Sequence, residues 1–411
     1  MKLLYNLGIF LYGLAVRLVA PFDEKAKLFV KGRKNWLKNL QQKVDKNASY
    51  IWFHCASLGE FEQGRPVIEE IKKQFPQYKI VLTFFSPSGY EIRKNYDGAD
   101  IVCYLPLDTP KNARNFIDII KPEKAFFVKY EFWYNLVNEL NRRRIPLFIV
   151  SAIFRENQLF FKNTSPGRWY RKMLFQFEHI FIQNEQSAKL LKSIGVTKFT
   201  IAGDTRFDRV AAIANSAKQF PDVEKFVGGK TTIIAGSTWK PDEELLATFI
   251  NNSSEVKFII APHEVTPANI NRIHQLLKKR VISYSKSQNS DLSSYDVLII
   301  DSIGILSSLY QYGNIAYIGG GFGVGIHNIL EAATFRLPIV FGPNYKKFKE
   351  AVDLTEQKGA FPVTDFNELN HALNLLITQK NELKKASEVC QKYVAKNIGS
   401  TKFIINKVFN K

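Results

Sequence analysis

The sequence has few residues of the kinds that build disulfides, metal sites and covalent active sites: three cysteines and six histidines in 411 residues. Cys55, Cys103 and Cys390 lie far apart and form no CxxC pair, which indicates small buried side chains in a reducing compartment. The histidines show no metal-ligand spacing, and the sequence contains no HExxH, GxxxxGK(S/T), GxSxG or DxD motif. We therefore expect neither a bound metal nor a cofactor.

Apolar and basic residues, in contrast, are abundant. Apolar residues make up 45% of the chain, with 33 Phe and 17 Tyr, which excludes a disordered protein and favours two domains at this length. Lys and Arg outnumber Asp and Glu by 57 to 38, for a net charge of +19. Such a charge attracts anionic lipid headgroups, nucleotides or nucleic acid, although a solvated lysine-rich surface is the simpler explanation.

The N-terminal segment resembles a membrane anchor. Residues 3–20 are mostly apolar, interrupted by Asn6 and Arg17 and ended by Pro21, and as a helix they span about 27 Å. Six basic residues follow: Lys25, Lys27, Lys31, Arg33, Lys34 and Lys38. Because positive charge marks the cytoplasmic side, we predict an anchor over residues 1–21 with the protein body in the cytoplasm. A helix lying in the membrane interface, or one docked on the protein itself, remains an alternative.

Short apolar runs alternate with helical patterns along the rest of the chain, as in parallel α/β domains. The predicted strands are residues 49–54, 79–84, 101–104, 124–128, 147–150, 179–183 and 199–201, then 231–235, 257–261, 281–284, 296–300, 315–318 and 338–341. We predict Rossmann-like domains at 22–205 and 229–411, the second including the C-terminal helices, with a linker at 206–228. Ligands are expected at the carboxyl ends of the strands.

The segment YIGGGFGVGIHNILEAAT, residues 317–334, combines a strand, a glycine-rich loop and a helix predicted to open near His327 and Asn328. Glycines let backbone approach a phosphate, and a helix N-terminus offers N–H donors. Glu331, one turn after His327, is suited to bind ribose hydroxyls, or it simply favours the helix dipole. The segment lies too late in the chain for a dinucleotide fingerprint, and a purely structural turn is the alternative.

Three further strand-to-helix loops carry candidate residues. In GSTWKPDEE, residues 236–244, Ser237 either contacts phosphate or caps the helix. In HCASLGEFE, residues 54–62, Glu60 lies in the first helical turn, where a carboxylate can deprotonate a hydroxyl or merely interact with the dipole. Glu131 in KYEFWYN follows another strand and is a candidate for the same topological reason.

Taken in order, these segments resemble the lipid A-type transferases of 3-deoxy-D-manno-octulosonic acid (Kdo) of Gram-negative bacteria. The resemblance covers almost the whole chain, through the N-terminal anchor and the segments HCASLGEFEQGRP, KYEFWYNL, QNEQSAKLLKSIG, GDTRFD, GSTWKPDEE, APHE, GGGFGVGIHNILEAA and FGPNYKKFKEA. It implies a GT-B fold, in which two Rossmann-like domains face each other across a cleft. It also implies an inverting, metal-independent transfer of Kdo from CMP-Kdo to a lipid A precursor (lipid IVA) in lipopolysaccharide synthesis, at the cytoplasmic side of the inner membrane.

The same resemblance assigns residue roles. Glu60 is the implied general base, and Ser57, Gly59 and Glu131 support it on the acceptor side, in the N-terminal domain. The implied donor-binding residues, in the C-terminal domain, are Ser237, His263, Gly304, Gly321, Gly323, Gly325, Asn328 and Glu331. No metal ligand and no nucleic-acid partner are implied.

Two departures from the family pattern affect the donor and acceptor contacts. The Pro-Arg-His segment of relatives reads Ala261-Pro262-His263 here, so that His263, or a lysine such as Lys240, has to supply the missing positive charge. Lys129 replaces a glutamate that is common two residues before the Glu131 position. The alternatives are a GT-B enzyme that uses a UDP-sugar, a sugar-nucleotide epimerase, and a non-enzymatic nucleotide-binding module at the membrane.

Overall fold

The chain forms two α/β units, each built on a parallel sheet. The computed structural model describes residues 1–288 and 290–410. Contacts group Met1–Arg209 with Gly399–Lys411 as the first unit and Val210–Ile398 as the second. Each unit contains a 7-stranded sheet with helices, so the predicted fold class, two doubly wound domains of the GT-B type with an N-terminal apolar helix, is confirmed.

In the first unit every strand is followed in the chain by a helix or a helical turn. The strands are β1 Ser49–Cys55, β2 Tyr78–Phe84, β3 Ile101–Tyr104, β4 Pro122–Val128, β5 Leu147–Ala152, β6 His179–Ile182 and β7 Phe199–Ile201. The helices are α1 Lys2–Val19, α2 Glu24–Gly32, α3 Trp36–Lys43, α4 Leu58–Gln74, α5 Pro87–Arg93, α6 Pro110–Ile120, α7 Tyr134–Arg142, α8 Ser165–Leu174 and α9 Glu185–Ser193.

The remaining elements continue in chain order. The strands are β8 Thr232–Thr238, β9 Lys257–Pro262, β10 Val281–Ser283, β11 Val297–Ile299, β12 Ile315–Ile318, β13 Ile339–Phe341 and β14 Ala360–Pro362. The helices are α10 Arg206–Asn215, α11 Pro221–Val227, α12 Lys240–Asn252, α13 Pro267–Leu276, α14 Leu306–Leu309, α15 Leu330–Thr334, α16 Lys349–Glu356, α17 Phe366–Thr378, α18 Lys380–Asn397 and α19 Ser400–Phe409.

The order of strands fixes where each sheet can bind a ligand. The first sheet runs β3-β2-β1-β4-β5-β6-β7 and the second β10-β11-β9-β8-β12-β13-β14, and all neighbouring strands are parallel. The winding reverses between β1 and β4 in the first sheet and between β8 and β12 in the second. Open α/β sheets bind ligands at such a switch point, beyond the carboxyl ends of the two strands.

The predicted strands agree with β1 to β13 to within a few residues, because helices cover both faces and make each strand a continuous apolar run. The short edge strand β14 was missed. The predicted linker contains helices α10 and α11, which its mixed polar composition concealed. The predicted domain boundaries at 205 and 229 stay a prediction.

The last helix differs from the expectation that the C-terminal helices belong to the second domain. In the first unit, α19 buries Ile404 and Ile405 in the core around β1, and the rings of Phe75 and Phe409 stack at 4.5 Å. Asp208 accepts hydrogen bonds from the backbone N–H groups of Gly399 and Thr401, which fixes the start of this helix. Because α19 completes the apolar core of the first unit, the chain returns to that unit at its end.

Helix α1 is long and apolar enough to cross a membrane, and one of its faces docks on the first unit. The Tyr5 hydroxyl donates to the buried Asp108 carboxylate at 2.7 Å, and Asn6 accepts from Asn135 at 2.9 Å. The opposite face leaves large apolar side chains exposed, among them Leu3, Leu4, Leu7, Phe10, Leu14 and Leu18. This arrangement favours the alternatives in which the helix lies along the protein and presents one apolar face.

Candidate active site

The first part of the candidate site is the turn from β1 into α4. Ser57 precedes the helix with an extended backbone, and Glu60 lies in the first helical turn. The Ser57 hydroxyl donates a hydrogen bond to the Glu60 carboxylate. The backbone N–H groups of Phe85 and Ser86 donate to the Ala56 carbonyl, so the loop after β2 holds the turn in place. The turn therefore presents a half-buried carboxylate at the switch point of the first sheet.

Two glycines near this turn, Gly59 and Gly89, differ in how closely they are packed. A Cβ at Gly59 would meet only the Ser57 hydroxyl oxygen, at 3.8 Å, so the space around it is open. A Cβ at Gly89 would approach the Phe84 ring to 2.3 Å and a Ser57 backbone carbon to 3.0 Å. Gly89, which the sequence analysis missed, thus allows α5 to pack directly against the turn at Ser57.

Glu131 is fixed by hydrogen bonds that start in the buried sheet. The Trp133 indole N–H donates to the Glu131 carboxylate at 2.6 Å, and His54 Nε2 lies 2.9 Å from the same oxygen. His54 is fully buried, with Nδ1 2.9 Å from Thr83 Oγ1, which accepts from the Trp52 indole at 2.8 Å. The Trp133 indole N–H also lies 3.0 Å from His54 Nε2, so the two rings and the carboxylate form one compact cluster. This network fixes the orientation of the Glu131 side chain.

Tyr130, which the sequence analysis did not single out, lies close enough to the Glu60 carboxylate to interact with it electrostatically. Burial raises the pKa of the Tyr130 hydroxyl, Arg155 lowers it and the Glu60 carboxylate adds to the rise. Lys129, between β4 and Tyr130, has a φ of +70°, a conformation that side chains other than glycine rarely adopt and that is often found at functional sites. The segment after β4 is therefore held in an unusual shape beside the predicted base.

An aromatic cavity opens beside Glu131. Its volume is about 460 Å³, within the usual range for ligand pockets. The aromatic part of its wall consists of Tyr5, Tyr130, Phe132, Trp133, Phe160 and Tyr170. Since Tyr5 belongs to α1, the cavity joins the apolar N-terminal helix to the carboxylate at the switch point.

In the second unit, one buried carboxylate ties the glycine-rich loop to α12. Asp242 accepts hydrogen bonds from the backbone N–H groups of Gly320 and Trp239, each at 2.9 Å. It also accepts from the Tyr317 hydroxyl at 2.8 Å. Burial raises the pKa of Asp242. The N–H of Gly320 therefore points at the protein and is not available to a phosphate.

Three of the four glycines assigned to donor binding lie in the glycine-rich loop, and their surroundings differ. A Cβ at Gly321 would lie 2.6 Å from the Gly342 backbone, so this glycine permits close packing of two loops. Gly325 has a φ of +136°, which favours glycine, and lies against the Lys347 side chain. Gly323 is exposed, with its nearest neighbour at 3.6 Å from a Cβ, and is the one with room for a ligand.

Ser237 and Gly304 lie at the carboxyl edge of the second sheet. Ser237 is near the end of β8 with a φ of +54°, and a Cβ on Gly319 would approach its carbonyl oxygen to 2.3 Å. The ends of β8 and β12 are thus in direct contact. Gly304, with a φ of +92°, follows β11 and has open space around it.

His263 belongs to a stack of three rings that the sequence did not reveal. The rings of Trp239 and His263 stack at 4.3 Å, and those of His263 and His327 at 4.7 Å. The Trp239 indole N–H donates to His327 Nε2 at 2.9 Å, so this nitrogen carries no proton. Burial and then the neighbouring His263 lower the pKa of His327. The stack lies at the ends of β8 and β9 and beside the glycine-rich loop.

The helix expected at His327 begins three residues later, at Leu330, and α15 has 5 residues. His327 and Glu331 therefore do not share a helical face, and the dipole of so short a helix contributes less than assumed. Asn328 instead donates to the Glu331 carboxylate at 3.0 Å and accepts from the Leu330 N–H at 3.2 Å. Asn328 and Glu331 are thus in contact, but a local turn brings them together and not a shared helical face.

Comparison with known proteins finds several relatives of the same kind. The family model for 3-deoxy-D-manno-octulosonic-acid transferase (kdotransferase) matches residues 30–209. A curated 3-deoxy-D-manno-octulosonic acid transferase of Aquifex aeolicus is 28% identical over 84% of this chain and 92% of its own length. The enzyme of Haemophilus influenzae is 24% identical over 87% of this chain and 86% of its own. The chain is thus similar to Kdo transferases over most of its length. It is accordingly a glycosyltransferase.

Other similarities are consistent with this transferase family but carry less information about activity. A bifunctional glycosyltransferase/methyltransferase of Fusobacterium nucleatum is 26% identical over 92% of this chain. The match covers 59% of that longer protein. The structure of UDP-GlcNAc 2-epimerase from Neisseria meningitidis superposes with a TM-score of 0.62 at 16% identity, over 88% of this transferase and 100% of the epimerase. At that identity the likeness shows a shared fold alone.

Proposed function

We propose that this chain transfers Kdo from CMP-Kdo to a lipid A precursor, lipid IVA, with inversion at the anomeric carbon. The observation that carries the proposal is the pairing of the Ser57–Glu60 turn with the fixed Glu131 at one switch point, in a chain similar to Kdo transferases over most of its length. In this proposal the first unit binds the acceptor and the second unit binds the donor.

Glu60 is the proposed general base. It takes the proton from an acceptor sugar hydroxyl, whose oxygen attacks the anomeric carbon of Kdo while the bond from that carbon to the phosphate oxygen breaks and CMP leaves. Attack requires the two reacting atoms to be about 3–3.5 Å apart and in line. The hydrogen bond from Ser57 orients the carboxylate toward one direction, which limits its freedom before reaction.

Glu131 is a proposed positioning residue for the acceptor. Its carboxylate is held by Trp133 and His54, so it can accept hydrogen bonds from sugar hydroxyls in one fixed geometry. The aromatic cavity of about 460 Å³ beside it suits the apolar part of a lipid acceptor. Gly59 is proposed to leave open the space in front of Glu60.

Donor binding is assigned to the edge of the second sheet. The hydrogen-bonded pair Asn328 and Glu331 offers polar atoms for the cytidine nucleotide, and the exposed Gly323 leaves room for the phosphate. Ser237, His263, Gly304, Gly321 and Gly325 complete the proposed donor site by their position at this edge. The proposed reaction uses no metal ion.

Positive charge for the departing phosphate has two candidate sources here. Lys347 donates to the Val324 carbonyl and contacts Gly325, so it places an ammonium group at the loop. His263 is exposed on top of the ring stack and offers an imidazole where relatives carry an arginine. Either group can stabilise the charge that develops on the leaving group.

The proposed place of action is the cytoplasmic leaflet of the inner membrane. Members of the Kdo transferase family act in lipopolysaccharide synthesis at a membrane, and the exposed apolar face of α1 supports contact with a bilayer. The basic segment after α1 supports the cytoplasmic side.

Nucleotide binding tests the donor assignment. Calorimetry of the full chain should show binding of CMP and much weaker binding of UDP, and Glu331→Ala should weaken CMP binding about tenfold or more by loss of charge-assisted hydrogen bonds. Glu356→Ala, a change of the same kind at the end of α16, is the matched control. Preference for UDP would overturn the proposed donor in favour of a UDP-sugar.

A further inference from the structure

A second cavity, remote in sequence from the glycine-rich loop, lies where α1 meets α2. Its volume is about 390 Å³. Five of its lining residues are basic: Arg17, Lys27, Lys31, Arg33 and Lys34. No acidic residue lines it, so the cavity carries a concentrated positive charge.

Most of this charge is not neutralised by the protein. Within residues 1–288 and 290–410, Arg17, Lys31 and Lys34 form no ion pair with a carboxylate. Lys27 pairs with Glu24 at 3.5 Å, but both side chains are more than half exposed, so the pair is weak. Cations confined within a Debye length, about 8 Å at physiological ionic strength, reinforce one another's attraction for an anion.

Arg33 adds a half-buried charge beneath the cavity. Its guanidinium donates to three backbone carbonyls, those of Leu105 at 2.8 Å, Phe85 at 2.7 Å and Phe29 at 3.1 Å. The guanidinium carbon lies 3.5 Å from the centre of the Phe29 ring. Burial lowers the pKa of Arg33 to about 9, so it remains a cation at neutral pH. Carbonyl dipoles and a ring face hold this cation in position without cancelling its charge.

The surroundings of the cavity indicate where its ligand comes from. Leu14, Leu18 and Val19 on α1 and Phe22 just after it are exposed apolar residues at the same end of the helix, and Phe22 is 91% exposed. Arg17 lies among them, with a long stem that can cross apolar surface and leave its charge at the polar boundary. Exposed apolar groups around a basic cavity are expected where a protein binds a lipid at a bilayer interface. A site for a dissolved anion would not need them.

We infer that the cavity between α1 and α2 binds the phosphate group of an anionic membrane lipid. Arg17, Lys27, Lys31 and Lys34 contact the phosphate, and Arg33 contributes charge from below. The apolar floor, which includes Phe29 and Leu107, faces the glycerol and first methylene groups of the lipid. The inference concerns membrane binding and does not depend on sugar transfer.

Flotation of the full chain with vesicles tests this inference. Binding to vesicles that contain phosphatidylglycerol should fall about 25-fold in the double variant Lys31→Gln, Lys34→Gln, because each basic residue contributes about fivefold at an anionic surface. Binding to neutral phosphatidylcholine vesicles should not change. The control Lys384→Gln, Lys392→Gln removes the same charge from exposed positions on α18 and should have little effect.

A second variant separates the cavity from the general surface charge. Ala20→Phe places a ring in the cavity without changing the charge and should also abolish the preference for phosphatidylglycerol vesicles. Equal losses in the two lysine pairs would overturn the inference in favour of a diffuse charge effect, as would unchanged preference in a folded Ala20→Phe protein. Binding of inorganic phosphate that Ala20→Phe abolishes, together with no preference of the wild type for phosphatidylglycerol vesicles, would overturn the lipid source in favour of free phosphate.

Discussion

The glycine-rich loop depends on Asp242, and substitutions there test this directly. Alanine would leave three donors without a partner: the Gly320 and Trp239 N–H groups and the Tyr317 hydroxyl. Each unsatisfied buried donor costs about 1–3 kcal/mol, so Asp242→Ala should destabilise the second unit by about 3–9 kcal/mol. Asparagine keeps one oxygen for the two N–H groups, and its amide can donate to the Tyr317 oxygen. Asp242→Asn should therefore cost only about 1 kcal/mol.

The two variants should separate in CMP binding as well as in stability. Loss of the bond to Gly320 frees the loop, and a charged hydrogen bond is worth about 1.5–3 kcal/mol, so CMP affinity of Asp242→Ala should fall about tenfold or more. Thermal unfolding and calorimetry of the full chain measure the two effects, with Asp365→Ala, a helix cap remote from the loop, as the control. Equal behaviour of the Ala and Asn variants, or undiminished CMP affinity in Asp242→Ala, would refute the reasoning.

Three further predictions concern the base, the ring stack and the membrane face. Glu60→Gln should abolish transfer and leave CMP affinity almost unchanged, because it removes a base and little else; measurable turnover would contradict its role. Burial and His263 lower the pKa of His327, and the Trp239 N–H donates to the unprotonated Nε2 of His327. The stability that the ring stack confers should therefore be present at neutral pH and be lost as the pH falls below about 6.5. Melting curves between acid and neutral pH should show this loss in the wild type and less of it in His327→Phe, and an equal loss in both would argue against it. Leu7→Ser with Phe10→Ser should lower membrane binding about thirtyfold, because each half-exposed side chain contributes about 1 kcal/mol. Ile92→Ser on α5 should have no such effect, and equal membrane recovery of all three proteins would exclude the apolar face of α1.

Point substitutions on α1 are preferable to its deletion. Removal of residues 1–20 would also take the Tyr5 hydroxyl away from Asp108 and leave a buried carboxyl group with one donor fewer. Burial already raises the pKa of Asp108 to about 6. Loss of activity after deletion would therefore mix a folding defect with a membrane defect.

The strands were predictable because a parallel sheet covered on both faces requires continuous apolar runs, as in residues 49–54 and 257–261. The positions of Ser57, Glu60 and Glu131 followed from the rule that ligands bind beyond the carboxyl ends of strands, together with the family resemblance. Their site roles remain proposals, but the structure brings these three residues to one switch point.

The contacts that fix these residues could not be predicted from the sequence, because they join segments far apart in the chain. Gly320 and Asp242 are 78 positions apart, and His54 and Glu131 are 77 positions apart. Trp133 and Trp239 stood inside the quoted segments, but an indole that holds a carboxylate or stacks on imidazoles looks like any other core aromatic residue in a sequence. The late start of α15 was missed since a run such as HNILEAAT does not define where a helix begins.

Transfer itself is the most direct test of the proposed function. The full chain would be incubated with CMP-Kdo, generated in situ, and a tetra-acylated lipid A precursor in the presence of EDTA, and the lipid would be analysed by mass spectrometry. The account predicts a mass increase of one or more Kdo units, present with wild type and absent with Glu60→Gln. An unchanged lipid, with folded protein and an active reference transferase in parallel, would contradict the account.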